Sequence, residues 1–183
     1  MRNIYLTIND GPTKNFRDKI DFLKSKNITA VFFCIGLLIQ EKYDDIIYAI
    51  KNDFVIGNHS FTHCSFNGLN YKTAQDEISK TDDLIEKLYK ISNKVRKSKL
   101  FRYPYGINGG DDINKYLKEN GYQIIDWNYN IGEVGAEKKY ILDKLVCIKD
   151  NDIILMHDVV SSHYLFKEII NRLIEKDFKW KII

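Results

Sequence analysis

The sequence predicts an α/β fold, a mostly parallel sheet curled into an irregular seven-stranded (β/α) barrel. Two observations carry this. Short apolar runs alternate with amphipathic stretches along the chain, the pattern of repeated βα units with helices outside a parallel sheet. The residues able to do chemistry also follow strands. Asn9 and Asp10 come after the first and His59 and His63 after the third, while Arg102, Trp127 and His157 end the fourth, fifth and sixth. An open doubly wound sheet fits the alternation too, but it gathers ligand contacts at one switch point. Contributions from five strand ends converge more readily at the mouth of a barrel.

The elements follow in order. The first strand, 4–8, runs into the turn sequence Asp10-Gly11-Pro12, and Phe16, Ile20 and Leu23 give the helical spacing of a helix over 15–26. The apolar run Val31-Phe32-Phe33-Cys34-Ile35 marks a strand over 29–35, with Cys34 a buried core residue. A helix over 37–51 and a strand over 54–56 lead to a helix over 72–91, whose apolar face includes Ile78, Leu84, Ile85 and Leu88. The remaining strands are expected at 100–102, 122–127, 152–156 and 178–182, alternating with helices at 111–120, 138–149 and 164–176. Both prolines, Pro12 and Pro104, fall in candidate motifs rather than in a linker.

At 183 residues the chain reads as one domain, 1–183, long enough for a proper core. Apolar content of 44% and charged content of 29% fit a soluble globular protein. The 28 Lys+Arg are interspersed with 25 Asp+Glu, and the net charge of +3 gives no reason to expect nucleic acid or an anionic membrane as partner. The densest basic run, Lys94, Arg96, Lys97 and Lys99, is expected to be a solvated loop. Three cysteines, Cys34, Cys64 and Cys147, are too few and too scattered for a disulfide framework, and Cys64 reads as a packing residue rather than an added soft ligand. No apolar run approaches the length of a membrane span, and the N-terminus enters a strand without a signal peptide, so the expected location is cytoplasmic, or the chain is a secreted one trimmed of its leader.

Asp10, His59 and His63 are the candidate metal ligands. His59 and His63 are spaced i, i+4, which on a helical turn puts both rings on one face. Taken alone, the histidines read as surface residues and Asp10-Gly11-Pro12 as a turn. Together they make a carboxylate–His–His set that leaves coordination positions open, as in a catalytic site. Zinc suits such a set best, with cobalt, manganese or nickel also accommodated, and the ion lowers the pKa of a bound water towards about 7. His157, beside Asp158 and just past a buried strand, suits a general acid. His163 reads as an exposed residue at a helix start. Arg102 can hold a carboxylate by a bidentate fork, and the turn Tyr103-Pro104-Tyr105-Gly106 can aim a backbone N–H inward as an oxyanion donor.

In this order the pieces resemble the NodB-type polysaccharide deacetylases of carbohydrate esterase family 4, over essentially the whole chain. The family's T-F-D-D-G-P appears as Thr7-Ile8-Asn9-Asp10-Gly11-Pro12. Its H-[ST]-x-x-H is intact from His59 to His63, R-x-P-Y from Arg102 to Tyr105 and L-x-H from Leu155 to His157. The resemblance implies a deformed (β/α) barrel that removes acetyl groups from an N-acylated sugar or oligosaccharide. It gives Asp10, His59 and His63 to the metal, His157 to protonation of the leaving amine, and the Tyr105 N–H to the oxyanion. Leu155, Trp127 and Pro104 would form the substrate pocket, and Arg102 would orient the base.

Two departures accompany the resemblance. The family's base is the first aspartate of its first motif, and here Asn9 stands in that place. An amide cannot take a proton from water near neutral pH. The fourth motif, usually W-D-x-D-x-x-D-W, aligns with Trp127 through Val134, so Glu133 replaces the acid that pairs with Arg102 and Val134 replaces a pocket tryptophan. Asn9 is thus an engineered substitution, or natural in a member that binds without cleaving, or compensated by another base, for which Glu133 is the candidate.

Overall fold

The computed structural model describes residues 2–131, 137–158 and 163–183. Eight parallel strands form one curled sheet: β1 (Arg2–Gly11), β2 (Val31–Cys34), β3 (Val55–Asn58), β4 (Lys99–Phe101), β5 (Tyr122–Ile124), β6 (Tyr129–Asn130), β7 (Asp152–His157) and β8 (Phe178–Lys181). Seven lie on one path in the order β5-β4-β3-β2-β1-β7-β6. A strand has two edges. On β1 one edge takes β7 along Ile4–Asn9, and the other takes β8 at Arg2–Tyr5 and then β2 from Thr7 onward. Among the described residues no ladder joins β5 to β6, so the barrel is open along that seam.

Alternation along the strands separates two cores. Ile4, Leu6 and Ile8 of β1, Phe32 and Cys34 of β2, and Ile154 and Met156 of β7 face outward. There they join Phe16, Ile20 and Leu23 of α1 (Phe16–Ser25), Ile46, Ala49 and Ile50 of α3 (Tyr43–Lys51), and Phe166, Ile169, Ile170 and Leu173 of α7 (His163–Ile174). The opposite set points into the barrel, where Val31 and Phe33, which cluster with Leu100, stand beside their register partners Thr7 and Asn9, and Leu155 flanks Thr7 on the other side. A second outer cluster packs Ala74 and Ile78 of α4 (Tyr71–Ile91) and Ile113 and Leu117 of α5 (Asp111–Glu119) against Phe101 and Tyr103. The Asn70 side chain caps α4 by accepting the Thr73 N–H at 2.9 Å.

The element boundaries differ from expectation in instructive places. The single helix expected over 37–51 is two, α2 (Gly36–Glu41) and α3, broken where Lys42 leaves helical geometry (φ −135°, ψ 47°). Ile39 of the first piece and Ile46, Ala49 and Ile50 of the second are buried in the same core, so hydrophobic spacing alone does not reveal the break. The strand expected over 122–127 stops at Ile124, and a separate two-residue strand, β6, begins at Tyr129; two residues are too few to show an alternation. Helix α6 (Lys138–Lys144) ends early in a 3₁₀ turn, Leu145–Cys147. Lys94 and Lys97 of the basic run lie exposed in a loop, as expected, but the Arg96 side chain is not solvated. It is only 4% exposed and binds Asp82 of α4 at 2.6 Å, with Lys99 3.0 Å from the same carboxylate. Among the described residues no helix is long and apolar enough to cross a membrane.

Candidate metal centre and adjoining cleft

Two strand ends, those of β1 and β3, bring Asp10, His59 and His63 together, with ligand atoms all within 4.8 Å of one another. Asp10 arrives by a β-bulge. The register steps from Asn9 opposite Phe33 to Gly11 opposite Cys34, and Asp10 takes the extra position at φ 65°. Neighbouring residues on a regular strand face opposite ways. The bulge turns Asp10 so that it and Asn9 line one cavity.

His59 and His63 do not lie on a helical turn, contrary to the i, i+4 reading. They sit in a loop after β3, where Ser60 and His63 both adopt φ near 62°. The loop is held from behind by the Glu77 carboxylate on α4, which accepts the N–H groups of Phe61 (2.9 Å) and Thr62 (2.8 Å) and the Thr62 hydroxyl (3.0 Å). Sequence reasoning gave Glu77 no role, since an acid on a long amphipathic helix looks like any solvated one. Replacing it with alanine would leave two partly buried N–H groups without their acceptor. Glu77→Ala is therefore expected to cost about 1–3 kcal/mol in thermal or urea unfolding.

The His59 ring donates from Nδ1 to the Arg102 carbonyl at 2.8 Å, because a carbonyl can only accept. That fixes the tautomer and leaves the Nε2 lone pair turned towards Asp10 Oδ1, 3.4 Å away, with His63 Nε2 at 3.2 Å from the same oxygen. Asp10 Oδ1 and His59 Nε2 are both buried and without a hydrogen-bond partner. Two facing acceptors in a buried site are what a cation placed between them would satisfy. Burial opposes ionisation of Asp10, but the two imidazoles outweigh it and hold its carboxyl well below the usual carboxylate range. Burial also draws His59 below the ordinary imidazole value, against the opposing pull of Asp10, and so favours the neutral form a ligand needs. The donor set fits a divalent metal.

Next to the triad lies a cavity of about 280 Å³ lined by Asn9, Tyr105, Trp127, Asn130, Leu155 and His157 together with the three ligand residues. Asn9 and His157 are register partners on adjacent strands, both directed inward. Tyr105, at φ 59° in the 3₁₀ turn Pro104–Gly106, lays its ring 4.7 Å from that of His63 and is 64% exposed. Gly106 is required there. Its φ is 68°, and a Cβ would stand 2.7 Å from the Trp127 ring. Pro104 is buried at the start of the turn and does not line the cavity. Asn130 does line it and was not singled out, since two-residue β6 left no pattern to find it by.

Arg102 lies behind the cavity, fully buried. Its Nη1 donates to Thr7 Oγ1 (2.7 Å) and Asn9 Oδ1 (2.9 Å), Nε to the Ile125 carbonyl (2.8 Å) and Nη2 to the Asp126 carbonyl (3.1 Å). The fork expected to hold a carboxylate thus binds an amide, a hydroxyl and two carbonyls. The guanidinium also faces the rings of Phe33 (4.2 Å) and Trp127 (5.4 Å). Burial pulls its pKa down to about 9. Glu133 and Val134 lie outside the described residues, as does the His163 side chain.

These features define a curled parallel (β/α) barrel with an Asp–His–His cluster and a ligand-sized cavity at the carboxyl ends of its strands. The polysaccharide deacetylase family matches residues 1–125, and the chain belongs to that family. A peptidoglycan-N-acetylglucosamine deacetylase of Bacillus cereus is 30% identical over 97% of this chain and 67% of its own length. The structure of the peptidoglycan deacetylase PdaC from Bacillus subtilis superposes with a TM-score of 0.84 at 29% identity, over 98% of this chain and 86% of the other. A mutant of a family 4 carbohydrate esterase pseudoenzyme from Bacillus anthracis, described as having restored enzymatic activity, gives a TM-score of 0.84 at 26% identity, over 98% of this chain and 65% of the other. Some relatives extend well beyond the shared region; the chain spans 44% of another Bacillus cereus deacetylase of the same name.

Proposed function

We propose that this chain binds a divalent metal, zinc first, through Asp10, His59 and His63, and removes an N-acetyl group from a sugar or oligosaccharide seated in the adjoining cavity. The observation that carries the reading is the pair of buried, partnerless acceptors, Asp10 Oδ1 and His59 Nε2, facing each other beside that cavity. The two Bacillus cereus relatives are peptidoglycan-N-acetylglucosamine deacetylases, which supports the substrate class. A cation held there acts as Lewis acid towards the acyl oxygen and makes water a usable nucleophile at neutral pH. The Tyr105 N–H adds a donor for the oxyanion. Leu155 and Trp127 wall the acyl slot, and His157 gives its proton to the departing amine nitrogen. Asn9 contributes a donor where a base would contribute an acceptor, so turnover by this chain is slow.

Asn9 favours a second reading, carbohydrate binding without cleavage, and a pseudoenzyme among the structural neighbours supports it. One experiment decides. Acetate release from N-acetylglucosamine oligomers is followed for the cobalt- or zinc-loaded chain, with a chelator control and with His157→Ala. Slow release that stops with chelator and in His157→Ala supports the first reading. No release, with saturable oligosaccharide binding, supports the second. Failure to bind cobalt or zinc overturns the metal site itself.

A further inference from the structure

Asp158 follows His157 at the mouth of the barrel and is 2% exposed; Lys19, on the inner face of α1, is 1% exposed. The Lys19 ammonium donates to Asp158 Oδ1 and, at 2.5 Å, to the main-chain oxygen of the same residue. Asp158 Oδ2 accepts the Thr13 N–H at 2.7 Å, and the Asp158 N–H donates to the Asn9 carbonyl at 2.8 Å. One residue therefore binds the strand end that carries His157 to the strand end that carries Asn9 and Asp10, and to the turn beyond. Gly11 permits the approach: a Cβ there would lie 3.3 Å from Asp158 Oδ2 and 3.0 Å from the Phe16 ring. The ammonium also lies 5.5 Å from the Phe166 ring of α7.

Neither residue lines the cavity. An ion pair this deep loses most of its Coulomb energy to desolvation, and two apolar side chains would serve core stability as well. What apolar side chains could not supply is the acceptor for the Thr13 N–H and the Lys19 bonds that hold Asp158; the Asp158 N–H bond to the Asn9 carbonyl is main chain and would remain.

We propose that Lys19 is a positioning residue. By neutralising and anchoring the Asp158 carboxylate, it fixes the bulge bearing Asp10 and the strand end bearing His157 relative to one another. Its consequence for metal binding rests on the metal site proposed above; the pairing itself does not.

The test uses Lys19→Met, which keeps the stem and removes the charge, and Lys19→Arg, which keeps the charge. The double variant Lys19→Met/Asp158→Leu guards against misfolding, because it leaves no lone buried charge. In metal-free protein, amide hydrogen exchange at Thr13 and Asp158 should quicken about tenfold or more relative to barrel amides such as Phe32 and Phe33 in Lys19→Met and in the double variant. Lys19→Arg should restore most of the protection. In cobalt titrations the same two variants should bind about 10–100-fold more weakly with an altered visible spectrum. A general loss of stability would instead speed exchange at all these amides together and leave the spectrum of the folded fraction unchanged. Folded Lys19→Met or double variant with Thr13 still protected, or with the cobalt spectrum and affinity of the original chain, overturns the proposal. Should the original chain bind no cobalt, the metal reading fails separately, and exchange at Thr13 alone decides the role of Lys19.

Discussion

Replacing Asn9 by aspartate should raise the rate of acetate release from N-acetylated oligosaccharides by about 10²–10⁴-fold, the usual worth of a positioned general base. The substitution is nearly isosteric, and the surroundings are already arranged for it. Asn9 is buried, with Oδ1 at 2.9 Å from Arg102 Nη1, so one oxygen of an aspartate would keep that bond. The other would take the place of the amide nitrogen, turning a donor into an acceptor. Arg102 would gain a charged partner for a guanidinium that now binds only neutral acceptors among the described residues. Initial rates with saturating cobalt or zinc, for Asn9→Asp and for the original chain, check this. Equal rates in the two proteins would mean that something other than the missing carboxylate limits the reaction.

The sequence was most informative where one signal carried both fold and chemistry. The apolar run from Val31 marked a buried strand, which ends at Cys34, and the strand ends bearing Asp10, His59 and His157 had to share one rim if the strands were parallel. What escaped was geometry that the residue types do not encode locally. The H-x-x-x-H spacing looked helical, yet the rings meet through two left-handed residues and a carboxylate fourteen residues beyond His63 in sequence, Glu77. The extra residue that turns Asp10 inward is visible only in the register with β2. Lys19 falls on the buried face of α1 among Phe16, Ile20 and Leu23, where a charged residue reads as an interruption of the stripe. Its partner comes from 139 residues away, which no local pattern reveals. Arg96 was misjudged for the same reason, because the Asp82 that buries it belongs to a different element.

Arg102→Leu is expected to destabilise the fold by about 1–3 kcal/mol for each buried acceptor left unpaired, read as a shift in urea midpoint at unchanged slope. The side chain reaches across the barrel interior. Its bonds join β1, through Thr7 and Asn9, to the segment after β5, through the carbonyls of Ile125 and Asp126. That segment borders the seam where, among the described residues, no ladder joins β5 to β6, so these bonds do part of the work a ladder would do elsewhere. Leucine fills much of the volume but leaves the acceptors it faces without donors, and buried acceptors left unpaired account for most of the cost. Arg102→Lys should recover only part of the loss, because a single ammonium cannot reproduce the planar fork that serves Thr7, Asn9 and both carbonyls at once. Metal affinity should respond differently. His59 is oriented by the main-chain carbonyl of Arg102, which every substitution at this position retains. Cobalt binding by folded Arg102→Leu should therefore weaken less than in Glu77→Ala, which loosens the loop carrying His63 and belongs with the supporting contacts worth about 10–100-fold in metal affinity. The reverse order would mean that the arginine side chain, rather than its backbone, holds the metal site in shape.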